Sequence, residues 1–243
     1  MGKLRIALIG YGKMGKAIEQ IALSRGHQIS LKVNSDNPIE DVDFSLSDVA
    51  IEFSLPNLVL NHINFCFVKN VPIVVGTTAW NDSLKEVKTN CLESNGSLLY
   101  ASNFSVGVNI FFEINKHLAR LMENQPSYSA EIEEIHHLQK LDAPSGTAIT
   151  IANDLMSELS TYSTWVLGEK EKPQAQTNEI PIISHRKPEV SGTHIVTYRS
   201  EVDTIQISHE AHNRTGFALG AVLAAEFLAG KKGIFTMSDV LKI

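Results

Sequence analysis

The sequence predicts an α/β protein of two unlike parts, a parallel sheet at the N-terminus followed by an α+β region built on an open mixed or antiparallel sheet. Three observations carry this. Over the first hundred residues short apolar runs alternate with amphipathic stretches, and a glycine loop joins the first run to the first stretch. From Tyr128 onward, strand-like segments follow one another with few helical stretches between them.

Taken in order, Leu4 to Ile9 reads as a strand, Met14 to Ser24 as a helix and Ile29 to Val33 as a second strand. Val49 to Phe53, Asn57 to Val68 and Val71 to Val75 repeat strand, helix, strand. A helix around Asp82 to Cys91 then leads to a strand at Ser97 to Tyr100. Beyond these parallel units, Tyr128 to Leu138, Glu179 to Ser184, Thr193 to Arg199 and Thr204 to His209 read as strands of a separate sheet, with a helix near Thr147 to Leu159. The alternation along Thr193 to Arg199, a turn at Ser200 to Asp203 and the strand after it predict an antiparallel hairpin with one covered face. Gly168 to Asn178 is polar and predicts an exposed loop. The Ala- and Leu-rich stretch Phe217 to Leu228, closed by Gly230, predicts a helix that returns to the first domain. The first domain is therefore expected to be discontinuous, residues 1–104 and 215–243, with a substrate-binding and oligomerisation domain at 105–214.

Composition narrows the function classes. An apolar share of 43% in 243 residues can fill a buried core. A net charge of −6, with no basic stripe, argues against a nucleic-acid partner. Asn103, Asn109 and Glu113 interrupt the most apolar stretch, so no membrane span is expected. Nothing at the N-terminus suggests export, and Cys66 and Cys91 lack metal or redox spacing; a cytoplasmic protein with reduced cysteines is expected. The histidines form no HExxH pattern, and no metal site is expected.

Gly10-Tyr11-Gly12-Lys13-Met14-Gly15 follows a strand and opens a helix, the context in which GxGxxG acquires physical meaning. Glycines there let backbone approach a pyrophosphate, and a helix N-terminus favours anions. The pattern predicts a Rossmann-type sheet binding NADH or NADPH. The second strand ends in Lys32-Val33-Asn34-Ser35-Asp36, with no acid at the usual ribose position, so the choice of cofactor stays open. Asn34 is a candidate for a ribose hydroxyl and Lys32 for a 2′-phosphate.

The segment from Glu134 to Thr147 concentrates the chemistry. His136 and His137 are adjacent at a strand end and point to opposite faces, which suits one to proton transfer and the other to a ligand or the fold. Lys140 adds a cation, and Ser145-Gly146-Thr147 after Pro144 reads as a helix start able to hold a carboxylate. These features suit a small anionic substrate; a His-rich strand end before a Ser-capped helix is the structural alternative.

The run HHxxKxDAPSGT, present as His136, His137, Lys140 and Asp142 to Thr147, resembles the signature of the dihydrodipicolinate (4-hydroxy-tetrahydrodipicolinate) reductases. Further blocks of the same kind occur at Gly76-Thr77-Thr78, at Ala101 to Asn109, and at Ser208 to Ala211 with Arg214 and Phe217 to Ala221. The compact GYGKMG loop, with Lys13 where the family usually has Arg, departs from the pattern. The resemblance implies NAD(P)H-dependent reduction of a cyclic dicarboxylate, 4-hydroxy-tetrahydrodipicolinate, to tetrahydrodipicolinate in lysine and diaminopimelate biosynthesis. It implies hydride delivery to ring C4 and protonation at C3 by His136, with Lys140 stabilising negative charge. It assigns substrate carboxylates to His137, Ser145, Gly146 and Thr147, and the nicotinamide end to Gly76, Thr77, Thr78, Ala101, Ser102, Asn103 and Phe104. It further implies a homotetramer formed through the second sheet. Asp142 is expected to anchor the loop, while His209 and Arg214 receive no role. An aspartate dehydrogenase or an NAD(P)-sensing regulator would share the glycine loop without needing the DAPSGT segment, and an aspartate-semialdehyde dehydrogenase would need a nucleophilic cysteine.

Overall fold

The computed structural model describes residues 2–168, 177–213 and 215–243. In chain order the elements are β1 (Arg5–Ile9), α1 (Lys13–Ser24), β2 (Gln28–Val33), β3 (Val49–Glu52), α2 (Val59–Val68), β4 (Ile73–Val75), α3 (Leu84–Glu93) and β5 (Ser97–Tyr100). There follow α4 (Val106–Met122), β6 (Ser129–His136), α5 (Gly146–Glu158), β7 (Thr164–Gly168), β8 (Glu179–Arg186), β9 (Thr193–Arg199) and β10 (Thr204–Glu210). The chain ends with α6 (Thr215–Leu228), β11 (Gly233–Phe235) and α7 (Met237–Leu241). It divides into two compact units, residues 1–106 with 214–243, and residues 107–213.

The first unit holds a six-stranded sheet in the order β11-β5-β4-β3-β1-β2, with every pairing parallel. Its strands read as unbroken apolar runs because both faces are covered. Ala7, Ile9, Ala50, Ile73, Val75 and Leu98 point to a core that includes Val59, Ile63 and Cys66 of α2 and Val87 and Cys91 of α3. The alternate residues Ile6, Leu8, Val49, Ile51, Val74 and Leu99 point to a second core with Ile18 and Ala22 of α1 and the buried residues of α6. Helix α6 packs against α1 and against β3, β4 and β5, which explains why apolar residues run all round it. Both cysteines are free and buried, packing in the first of these cores.

The second unit is a five-stranded mixed sheet in the order β10-β9-β6-β8-β7. Strand β6 runs parallel to β8 and antiparallel to β9, and β9–β10 is the expected hairpin, closed by Ser200 N–H donating to Asp203 O at 3.0 Å. Here burial alternates. Ala130, Ile132, Ile180, Ile182, Val196 and Tyr198 face a core completed by α4 and α5, with Phe111, Ala119, Ile151 and Leu155.

Several elements went unread. The 17-residue α4 buries Val108, Phe111, Asn115, Ala119 and Met122, a helical stripe hidden by β-branched and aromatic residues and by a fully buried Asn. Strands β7 and β11 and helix α7 are too short for periodicity to reveal. Of the polar stretch read as a loop, Gly168 ends β7 and Thr177 and Asn178 form a turn; residues 169–176 lie outside the described residues, as does Arg214. Among the described residues, no helix is long and apolar enough to cross a membrane.

Candidate functional site

In the first unit the glycine loop joins the C-terminal end of β1 to α1. Gly10 has φ +90°, and a Cβ there would lie 2.1 Å from the Phe53 carbonyl oxygen. A Cβ on Gly15 would lie 2.3 Å from the Gly10 carbonyl oxygen. These two glycines fold the loop back on itself. Gly12 differs: it is exposed, the space beside its Cα is open, and as N-cap it offers α1 no side-chain acceptor. The helix start therefore lies open to an anion over a bare backbone, with the positively charged Lys13 and Lys16 in its first turn, so the residues present fit a dinucleotide pyrophosphate.

At the end of β2 the structure adds a residue that sequence reading missed. Lys32 Nζ lies 2.7 Å from Glu19 Oε1 and donates to Tyr11 Oη at 3.0 Å, sitting 4.3 Å from the Tyr11 ring centre. Tyr11 Oη in turn donates to Glu19. The ammonium considered for a 2′-phosphate already has a carboxylate partner. Asn34 is exposed, and its side-chain oxygen accepts from the Asp36 and Asn37 amides at 2.9 Å, closing the turn after β2.

At the ends of β3 and β4, Glu52 is fully buried and its Oε1 accepts from Ser54 N–H at 3.2 Å, from the Ser54 hydroxyl, and meets His62 Nδ1 at 3.3 Å. Thr77 Oγ1 accepts from the same Ser54 N–H at 2.8 Å. Gly76 owes its identity to the Phe53 ring, 2.1 Å from where a Cβ would stand. Two assignments are narrowed by this. The Thr77 hydroxyl is buried in the turn, and Phe104, 2% exposed, packs its ring on Phe53 at 5.6 Å, so its side chain belongs to the core. Thr78 and Ser102 are exposed, and Ala101 and Asn103 half-buried, on the loops after β4 and β5.

In the second unit the pleat sorts the histidine segment. Glu134 and His136, two apart on β6, share the buried face, while His137 follows the strand and is half-buried. The register sets His136 opposite Arg186 of β8 and Glu134 opposite His194 of β9. Glu134 is fully buried: Oε2 bonds His136 Nδ1, and Oε1 accepts from Arg186 Nη1 at 3.0 Å. Burial alone would raise the Glu134 pKa, but His136 first, then Ser184 and to a lesser extent Arg186, outweigh it and hold the carboxylate well below its ordinary range. His194 stacks edge-on against His136 at 5.2 Å. Burial first, then the neighbouring His136, lowers its pKa to about 3, so it is neutral at physiological pH.

Glu134, His136 and His194 bring ligand atoms within 4.8 Å of one another, a buried group that could hold a metal ion and that the sequence patterns did not reveal. With one Glu134 oxygen on His136 and the other on Arg186, the arrangement is a hydrogen-bonded relay.

The Lys140 loop closes over this relay. Lys140 Nζ donates to Asp142 Oδ2 at 2.9 Å. Burial raises the Asp142 pKa, but the bond and charge of Lys140 leave it lowered, in keeping with an anchoring role. The Ala143–Pro144 bond is cis. Ser145 is 2% exposed, and its hydroxyl caps α5 by accepting from Ala148 N–H at 3.2 Å while meeting His194 Nε2 at 3.2 Å. Gly146 is exposed with open space beside its Cα, and Thr147 is half-buried.

A parallel sheet with an uncapped glycine loop, together with a buried carboxylate-held histidine beside a lysine, defines an oxidoreductase of the nicotinamide-dinucleotide-dependent class. Residues 4–104 match the family model described as dihydrodipicolinate reductase, N-terminus, and residues 107–241 the model described as dihydrodipicolinate reductase, C-terminus. The chain belongs to the dihydrodipicolinate reductase family. It is 49% identical over 238 residues to the 4-hydroxy-tetrahydrodipicolinate reductase of Christiangramia forsetii, covering 98% of each chain. It is 35% identical over 229 residues to that of Neisseria meningitidis serogroup B, covering 92% of this chain and 83% of the relative. In fold it is similar to the dipicolinate-bound dihydrodipicolinate reductase of Paenisporosarcina sp. TG-14, with TM-score 0.76, 24% identity, and coverage of 97% of this chain and 98% of that one.

Proposed function

We propose that this reductase converts 4-hydroxy-tetrahydrodipicolinate to tetrahydrodipicolinate with NADH or NADPH, in lysine and diaminopimelate biosynthesis. The observation that carries the reading is the buried Glu134–His136 pair at the strand end leading into the Lys140 loop and the start of α5. The backbone from Gly10 to Gly15 and the start of α1 hold the pyrophosphate, Asn34 serves the adenine ribose, and the loops at Gly76 to Thr78 and Ala101 to Phe104 flank the nicotinamide end. The substrate first loses its 4-hydroxyl and a C3 proton as water, leaving a conjugated carbon–nitrogen system, and the reduced nicotinamide, when bound, would supply a hydride to ring C4 of that system.

His136 then gives its proton to the carbon of the resulting enamine, a step for which a general acid contributes about 10²- to 10⁴-fold. Lys140 stabilises negative charge at the ring nitrogen and a carboxylate. His137 takes one substrate carboxylate, and the backbone of Gly146 and Thr147, with the Thr147 hydroxyl, takes the other. A homotetramer through the five-stranded sheet and a cytoplasmic location complete the reading; light scattering on the purified protein tests the first.

The test is oxidation of NADH and of NADPH at 340 nm with freshly generated substrate, comparing wild type with His136→Gln and Lys140→Ala. Turnover that falls by about 10²-fold or more in each variant supports the assignment. Binding of cofactor with no turnover in wild type would favour an NAD(P)-sensing regulator. Gly12→Ala, which meets open space, is expected to fold normally and raise the KM for the nucleotide, whereas Gly15→Ala should lower the Tm. Because Glu19 neutralises Lys32, Glu19→Gln is expected to shift the kcat/KM ratio toward NADPH.

A further inference from the structure

Arg186 was not singled out by any sequence motif, yet it makes the most connections around the candidate proton donor. It ends β8, opposite His136 in the parallel register. Its Nη1 donates to Glu134 Oε1 at 3.0 Å and to its neighbour's carbonyl, His185 O, at 2.7 Å. Its Nε donates to Lys140 O at 3.2 Å and its Nη2 to Asp142 O at 2.6 Å. One rigid guanidinium thus holds the carboxylate that grips His136 and two carbonyls of the loop that carries Lys140. A lysine could not do this, because a single ammonium lacks the planar fork that reaches groups on several sides.

Glu134 is the other half of the device. It is fully buried, donates nothing, and bonds the Nδ1 of His136. A hydrogen bond at one imidazole nitrogen decides which tautomer exists and therefore which nitrogen is left to take up and pass on a second proton. With Nδ1–H held by the carboxylate, Nε2 is the nitrogen that takes up a proton to form the imidazolium and gives it away, the ring returning to the Nδ1–H tautomer. Nε2 lies beside Gly192, just before β9, 3.1 Å from where a Cβ would stand, so a bare glycine there leaves the ring room. The other charged or titratable groups beside His136 are Arg186 from β8 and His194 from β9, and His194 in turn feels His209 from β10 and Lys140 from the loop. His194 is neutral, and His136 is the histidine bonded to the Glu134 carboxylate.

We propose that Glu134 and Arg186 are positioning residues for the reduction: Glu134 fixes His136 as the Nε2 proton donor, and Arg186 locks that pair and the Lys140 loop into one alignment. The proposal rests on His136 being the donor. Neither residue needs to touch substrate. Arg186 is expected to matter for kcat more than its distance from the chemistry would suggest, because a displaced donor forfeits general-acid catalysis without weakening ground-state binding.

The experiment compares His136→Gln, Glu134→Gln, Arg186→Lys and Arg186→Ala by steady-state kinetics, circular dichroism and ¹⁵N NMR of the histidine side chains. Glu134→Gln and Arg186→Lys should each lower kcat by about 10- to 100-fold, with the substrate KM changed by less than about threefold. The His136 resonances should report the Nδ1–H tautomer in wild type and a mixture in Glu134→Gln. Loss of turnover in His136→Gln without any change in kcat or tautomer in folded Glu134→Gln and Arg186→Lys overturns the positioning proposal and leaves the donor reading standing. Unchanged turnover in His136→Gln removes the donor reading itself. Where Glu134→Gln does not fold, the wild-type spectrum decides: an Nε2–H tautomer refutes the proposal, an Nδ1–H tautomer supports it.

Discussion

The two units each bury a glutamate–histidine pair near the end of a strand, and the pairs are built differently. In the first, Glu52 bonds Ser54 and His62 through one oxygen, and its Oε2 has no partner among the described residues. In the second, Glu134 gives one oxygen to His136 and the other to Arg186. A buried carboxylate bonded to an arginine as well as an imidazole ties together side chains of two strands, whereas one that anchors a backbone amide and a hydroxyl acts as a brace for a turn. The first pair braces the turn after β3 against Thr77 after β4; the second holds the proposed proton donor.

The comparison can be broken by removing each carboxylate. Glu134→Ala leaves the Arg186 charge without its partner and should destabilise by about 3–5 kcal/mol, read from urea unfolding. Glu52→Ala strands only neutral groups and His62, and should cost about 1–3 kcal/mol. Equal losses would show that the arginine is not the difference.

Acid sharpens the contrast. The folded-state pKa of His194 is lowered by burial to about 3, against 6.5 for a free histidine, so between these values the unfolded chain binds more protons. Stability of the second unit is therefore complete above pH 6.5 and is lost as the pH falls toward 3, and Glu134, also lowered, adds a loss of the same sign at the acid end. Trp80 lies in the first unit and Trp165 in the second, so fluorescence of Trp80→Phe and Trp165→Phe reports the units one at a time. The Trp165 signal should move first on acidification; simultaneous transitions, or no change of slope in His194→Gln, would count against this account.

The smallest effect concerns a carboxyl with no cation bonded to it. Asp154 on α5 has its pKa raised to about 6, by burial first and by Glu113 and Glu158, while Lys116 opposes the shift. Its folded pKa exceeds its unfolded one, so it contributes stability at low pH that is lost as the pH rises through 6. Asp154→Asn should therefore stabilise the protein at pH 7.5, by about 1 kcal/mol once solvent screening of a partly exposed group is allowed for, and give no gain at pH 4. A uniform shift at both pH values would sink the explanation.

Much of this could be read beforehand. Strands buried on both faces announce themselves as apolar runs, and Gly10, Gly12 and Gly15 sit at fixed offsets from a strand end, so the parallel sheet and its glycine turn were legible. The histidines, Lys140 and the α5 start lie within one short segment, which is why they too could be found. What stayed hidden is what comes from elsewhere in the chain. Arg186 is 50 residues from His136 by number and becomes its neighbour only through the β6–β8 register. His194 and Ser145, 49 apart, meet the same way. Phe104 was lost to the core for a similar reason, since its loop position says nothing of the Phe53 ring beneath it.

By itself, then, the sequence determined most of the longer elements, the succession of the two sheets and the chemical types at the candidate site, because these follow from local periodicity and from residues a few positions apart. Only the tertiary structure decided which nitrogen of His136 is held, which cation holds its carboxylate and which hydroxyls are already engaged. Those are questions of strand register and burial, and a shift of one residue in pairing would send each of these side chains to the opposite face of the sheet.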